Sequence, residues 1–319
     1  MPGPGDGFAD DERLRLAFLC CHPVLPFDAK VALTLRMVCG LSTAEVARTL
    51  LVPEPAMDAR IKHARTRLRL AGILSEHPPA GRVQTVLDVV YLIFSTGHTA
   101  PSGTDLVRCD LVESAVDLGR RLHRFLPTDA EVTALLALML LIDSRRAARV
   151  SPDGKLVLLQ AQDRTLWDYR LIREGKALLT DALSRRSPTR YAVEAAIAAV
   201  HAEARTWTDT DWTEIIALYD VLLRMFPSHV VELNRAIAIG LRDGPAAGLR
   251  ALEPLTIEPG LATYGYLSAA RADFLRQLGR WEEAADAYEE ALALTANEVE
   301  RAFLTSRLDE VQDRLDDVS

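Results

Sequence analysis

The residues best placed to do chemistry lie in one short run, EPAMDARIKHARTRLR at 54–69. Arg60, Lys62, Arg65, Arg67 and Arg69 carry the cations that neutralise phosphates and release their counterions. Asp58, Lys62 and His63 offer donors and an acceptor suited to base edges, and a carboxylate such as Asp58 can accept from cytosine N4. Met57, Ile61, Ala64 and Leu68 recur at helical spacing, which predicts a helix with that stripe buried. Asp58, Ala59, Lys62, His63 and Thr66 then face outward, with the arginines on the flanks and at the distal end. This is the chemistry of recognition rather than of reaction.

A recognition surface needs elements to hold it, and residues 41–53 supply them. Ser42 and Glu45 have the spacing of a capping box, which starts a helix at Thr43. That short helix is expected to bury Val46, Ala47 and Leu50, with small Ala47 letting a second helix cross closely. Val52 plugs the turn, Pro53 forbids the first helix from continuing, and Pro55 suits the first turn of the next. The whole reads as a helix-turn-helix with its second helix in a major groove. The expected DNA-contacting set is Ser42, Thr43, Asp58, Ala59, Arg60, Lys62, His63 and Arg65. Arg60 and Arg65 are assigned to phosphate, Asp58 and Lys62 to bases. The competing reading is an amphipathic helix with a solvated charged side. Charge favours the first: residues 30–70 hold eight Lys/Arg against three acids in a chain of net charge −8. A small basic unit joined to an acidic remainder indicates local phosphate binding.

Residues 10–73, with CCHP at 20–23, VALTLR at 31–36, LSTAEVAR at 41–48 and LVPE at 51–54, resemble region 4 of extracytoplasmic-function RNA polymerase sigma factors. VVYLIFSTGH (89–98), LMLLIDSRRAARV (138–150), DGKLVLLQAQDRTLWD (153–168), YAVEAAIAAVHAEA (191–204) and VELNRAIAI (231–239) are similar to the subgroup with a long helical, tetratricopeptide-like C-terminal extension. The resemblance implies a cytoplasmic transcription-initiation protein that binds the −35 promoter element and core RNA polymerase, with a protein partner for the helical repeats and no cofactor. Two features depart from that pattern. Only MPGPGDGFA precedes Asp10, so the promoter-melting region 2 is expected to be absent and initiation by this chain alone is not expected. Asp58 stands where related factors often carry a basic residue. The alternatives are a helix-turn-helix regulator or polymerase adaptor without sigma activity, and a ligand-sensing helical domain tethered to DNA.

Other clusters weigh less. Cys20, Cys21 and His22 invite a metal or redox role, but four cysteines do not make a disulfide framework. Zinc wants four ligands in spaced pairs, and adjacent helical side chains diverge by about 100°, so Cys20 and Cys21 are not expected to share one core. Asp163, Arg164, Trp167 and Asp168 form a candidate ligand or docking pocket. His201, Glu203, Asp209 and Asp211 form a second cluster. Carboxylates at helix starts are also ordinary caps. No Gly-rich phosphate loop, HExxH pair or serine elbow occurs, so no enzyme activity is expected. No apolar run is long enough to span a membrane.

The expected fold is all-α. Helices are predicted over 11–21, 27–39, 82–94, 106–125, 130–148, 167–183, 189–204, 212–226, 229–242, 261–277, 282–295 and 299–316, with one small β-hairpin at 150–158 around Pro152-Asp153-Gly154. Residues 75–81, SEHPPAG, read as a linker. The expected domains are 1–74 (helix-turn-helix), 82–205 (helical middle) and 206–319 (tetratricopeptide-like repeats). Gly279, Ala284, Tyr288 and Ala291 fit the second half of such a unit, and Tyr219, Glu253 and Tyr288 lie 34 and 35 residues apart.

Overall fold

The protein is described from a computed structural model covering residues 11–71, 80–185 and 188–317. Fifteen α-helices occur among these residues: α1 Glu12–Cys20, α2 Phe27–Met37, α3 Thr43–Thr49, α4 Glu54–Leu70, α5 Val83–His98, α6 Cys109–Phe125, α7 Ala130–Asp143, α8 Tyr169–Arg185, α9 Arg190–Glu203, α10 Trp212–Met225, α11 His229–Asp243, α12 Pro245–Leu252, α13 Gly265–Gln277, α14 Trp281–Leu294 and α15 Glu298–Asp316. The expected all-helical class holds. The expected hairpin is a minimal one: Val150 and Leu156 form an antiparallel bridge, with Ser151 N donating to Lys155 O and Val157 N to Arg149 O, both at 2.9 Å, around Gly154 at φ +81°.

Two compact units emerge, residues up to 143 with 173–187, and residues 144–172 with 188 onward. This partition differs from the expected cuts near 74 and 205. In the first unit the DNA-binding helices share a core with the start of the extension, because α1 and α2 pack on α5 and α6. Arg13 pairs with Asp117 at 3.0 Å, and Arg121 reaches both Asp11 (2.8 Å) and Asp117 (2.7 Å). The extension thus grips α1 through alternating charges whose side chains are between one-fifth and two-fifths exposed. The linker expected at 75–81 lies outside the described residues except for Ala80 and Gly81, which open a 3-10 turn.

Residues 132–141 of α7 are all buried. A helix buried on every side cannot carry Arg145, Arg146 and Arg149 onward in the same environment. The helix predicted to 148 therefore stops at Asp143, and a 3-10 turn, Arg146–Ala148, follows. α8 packs on α7 at Gly175, where an added Cβ would lie 2.8 Å from Leu141 and 3.2 Å from the Ala137 carbonyl oxygen.

In the second unit three apolar clusters follow the chain: Ile197, Ile215 and Ile216; then Leu233, Leu252 and Phe274; then Ala284, Tyr288, Ala291 and Leu304. Gly279 (φ +70°) breaks α13 from α14, as the repeat pattern requires, and Ala284, Tyr288 and Ala291 are at most 2% exposed. One period earlier Gly244 (φ +94°) likewise breaks α11 from α12, but the position matching Tyr288 does not follow. Glu253 falls in a 3-10 turn with Pro254, and α12, absent from the predicted set, precedes it. The Phe274 ring slots between α11 and α12, so a Cβ at Gly240 or Gly248 would meet it at 2.2 or 2.4 Å. Gly240→Ala is therefore expected to cost about 1–3 kcal/mol through overpacking, read as a lowered thermal midpoint.

Candidate nucleic-acid interface

The helix-turn-helix is built as its residues dictate. Ser42 Oγ accepts from the Glu45 amide at 3.2 Å, while Glu45 Oε2 accepts from the Ser42 amide at 2.7 Å. These bonds hold the Glu45 carboxyl below the usual carboxylate range. Ser42 is exposed with its hydroxyl hydrogen still able to donate, and Thr43 is half-buried at N1 of α3. Val46 and Ala47 are buried as expected, but Thr49 takes the third inward place and Leu50 is half-buried. The reason lies in the turn. Leu51, not a glycine, adopts φ +54°, and its amide bonds back to Arg48 O while Val52 N bonds to Ala47 O. That closure ends α3 one residue early. Leu51 is 62% exposed, so its side chain contributes little packing against the cost of a left-handed conformation. Leu51→Gly is expected to gain about 0.5–1 kcal/mol, the left-handed strain relieved less the extra chain entropy of glycine, measurable by thermal denaturation.

On α4 the buried stripe is Met57, Ile61 and Ala64, at 0–3% exposure, with Leu68 half-buried. Lys62, His63, Arg65, Thr66, Arg67 and Arg69 are exposed, as is Ala59. The predicted base-reading and phosphate-binding residues nevertheless differ in availability. Lys62 pairs with Asp58 at 2.8 Å, one turn apart, with side chains 73% and 48% exposed. Arg60 is turned to the flank, where it pairs with Asp28 of α2 at 3.1 Å. Arg65 lies over Met37 Sδ at 3.3 Å, leaving its guanidinium exposed. Ala59, Arg60 and His63 also wall an open groove of about 660 Å³ with Leu25, Pro26 and Ala29. The outer surface of α4 is thus one edge of polar and cationic groups beside an apolar trough.

Residues 15–68, from α1 to the end of α4, match the sigma-70 region 4 family, and residues 82–183 match a family of unknown function (DUF6596). The uncharacterized protein R00370 of Rhizobium meliloti (strain 1021) is 43% identical over 303 residues, covering 94% of this chain and 71% of the relative. The chain belongs to the family of that rhizobial protein. It carries a sigma-70 region 4 DNA-binding domain followed by a helical domain of unknown function.

No cluster of three or more His, Cys, Asp or Glu suited to a metal ion occurs among the described residues. Burial pushes the Cys20 and Cys21 thiols up to about 12. Contrary to expectation both are buried, at 2% and 1%. Cys21 caps α1 at φ −90° and ψ 19°, outside helical geometry, so the 100° rule no longer sets its direction. No described helix is long and apolar enough to cross a membrane.

The four residues proposed as a pocket in the second matched segment divide into two roles. Asp163 is exposed and accepts from the Thr165 amide and hydroxyl at 2.9 and 2.7 Å. Asp168 accepts from the Arg170 amide at 2.8 Å and so caps α8. Arg164 and Trp167 instead turn inward and stack, with the guanidinium carbon 4.5 Å from the ring centre. In the other cluster Asp209 closes a capping box with Thr206, and Asp211 accepts from the Glu214 amide, while His201 faces inward. Asp163, Asp168, Asp209 and Asp211 are caps. Arg145, which joins the inward group, was missed as a site residue. Its sequence signal was an arginine pair ending a long apolar run.

Proposed function

We propose that this protein is a sigma factor-type transcription-initiation protein. α4 reads the −35 promoter element, core RNA polymerase is the protein partner, and the helical extension is regulatory rather than enzymatic. The observation that carries the reading is a capped helix-turn-helix, within the region 4 match, whose second helix exposes Lys62, His63, Arg65, Arg67 and Arg69 to solvent. Ser42 and Thr43, at the N-terminus of α3, suit a backbone phosphate. The apolar trough beside α4 gives the same domain a second surface of protein-binding character.

The test is fluorescence anisotropy of the chain against a panel of duplexes at several salt concentrations, followed by co-purification with core polymerase. A sequence preference of tenfold or more over random duplex, together with polymerase binding, is the expected result. Polymerase binding with no sequence preference would reassign the chain as an adaptor. Neither activity would end the reading.

A further inference from the structure

Within the second unit, inward-facing polar groups outnumber their partners. Trp167 is 4% exposed, and its indole Nε1 is buried with no hydrogen-bond acceptor. Arg164 stacks on that indole and donates through Nη1 to the carbonyls of His201 (2.8 Å) and Ala204 (2.6 Å), while its Nη2 is buried and unpartnered. Nδ1 of His201 is likewise buried and unpartnered. Arg145 lies within electrostatic reach of both Arg164 and His201. No hydrogen bond or ion pair engages its guanidinium among the described residues, and the neutral Tyr219 phenol and the Arg149 guanidinium also lie within electrostatic reach of it. Asp209 lies within electrostatic reach of Arg164 and also accepts from Thr206, while Glu194 pairs with Arg190 at 2.8 Å.

This arrangement is costly unless something answers it. An uncompensated buried charge costs several kcal/mol, and a buried donor without a partner costs about 1–3 kcal/mol. Two guanidinium groups, an indole N–H and an imidazole lie together, and no carboxylate bonds to the guanidinium of Arg145 or Arg164 among the described residues. Their chemistry calls for an acceptor that is negative and offers several oxygens, since guanidinium forks and N–H donors match a planar or tetrahedral oxyanion. Burial, reinforced by the two arginines, holds His201 down to about 4. Its imidazole is therefore neutral near pH 7 and can donate or accept without adding charge. Ordered water can satisfy single polar atoms, but it cannot neutralise two adjacent cations.

We propose that Arg145, Arg164, Trp167 and His201 form a binding site for an oxyanion, the phosphate or carboxylate group of a small solute, within the helical extension. It is separate from the DNA-binding surface and stands whether or not the sigma-type reading holds.

The test uses the full chain, melted in low-anion buffer with inorganic phosphate, sulfate or succinate added at constant ionic strength balanced by sodium chloride. Intrinsic tryptophan fluorescence is titrated in parallel. At saturation phosphate or succinate is expected to raise the melting temperature by about 3 °C or more. Phosphate and sulfate acting without succinate assigns a phosphoryl ligand, and the converse assigns a carboxylate. Arg145→Met is expected to lose the rise while melting, without added anion, at or above the parent temperature, because an unpaired, half-buried charge beside Arg164 has been removed. Should Arg145→Met fold poorly, Trp167→Phe, which keeps the ring and deletes the donor, is expected to weaken the anion at least tenfold in the titration. An anion-induced rise of equal size in Arg145→Met and Trp167→Phe would belong to the basic helix α4 and would overturn the proposal. So would the absence of any response in both the melt and the titration.

Discussion

Arg65→Ala should weaken binding to every duplex by a similar factor and flatten the salt dependence by about one phosphate contact, a change of ~0.9 in the log–log slope. Its guanidinium donates to Met37 Sδ and has no acidic partner among the described residues, so only a weak contact is exchanged for phosphate. Lys62→Ala should behave differently. Its ammonium stands on the outermost edge of α4, and a lost base contact costs about 1–3 kcal/mol against the preferred base while leaving random duplex little changed. The Asp58–Lys62 pair adds a sign that the sequence left open. At 2.8 Å and high exposure the pair itself is worth under ~1 kcal/mol, so Lys62 can exchange it for DNA readily. Asp58→Ala then removes a like charge facing phosphate and frees the lysine. It should tighten binding to all sequences several-fold while eroding preference. Anisotropy titrations of the three variants against matched and mismatched duplexes at three or more salt concentrations separate these effects. Uniform, sequence-independent losses for both Lys62→Ala and Arg65→Ala would remove α4 as the reading helix.

Gly97→Ala should be the most damaging single methyl in the first unit. Gly97 sits at the end of α5, where the chain crosses the start of α6. A Cβ there would lie 2.7 Å from Leu111 Cβ, 2.9 Å from the Val112 nitrogen and 3.1 Å from the Arg108 carbonyl oxygen. Two of those neighbours are backbone, so no rotamer change relieves the clash. The same crossing is tied by the Arg108 amide donating to the Gly97 carbonyl at 2.8 Å, a bond that separation of the helices would break. Overpacking of this kind costs about 1–3 kcal/mol, and the strained hydrogen bond adds ~1 kcal/mol. Chemical denaturation should show the midpoint falling with little change in slope. Because α5 and α6 also pack on α1 and α2, the loss should extend to DNA affinity although Gly97 is far along the chain from α4. Gly103→Ala offers a contrast. Its Cβ would meet nothing within 4 Å, so its cost comes from φ +98° alone and should leave DNA binding untouched.

Local rules sufficed for the elements of the helix-turn-helix. The capping box depends on two side chains three residues apart, the stripe Met57–Ile61–Ala64 on a 3.6-residue period, and the start of α4 on Pro53 and Pro55. All are encoded within one or two helical turns, and both helices formed, with only the inward end of α3 shifted from Leu50 to Thr49. The repeat-like pair α13–α14 was legible for the same reason: Gly279, Ala284, Tyr288 and Ala291 act within a single unit. What local pattern could not decide was which partner each side chain would meet. Arg60 looked free for phosphate until packing brought Asp28 of α2 beside it. Cys21 looked divergent from Cys20 until the end of α1 redirected it inward. Asp163 and Asp168 looked like a pair poised for chemistry, yet each spends its oxygens on amides two residues away. Arg145, unremarked in sequence, gained its meaning from Arg164 and His201, respectively 19 and 56 residues downstream. Secondary structure follows from interactions along the chain, whereas the availability of a charge follows from interactions across it, and those exist only once the helices have packed.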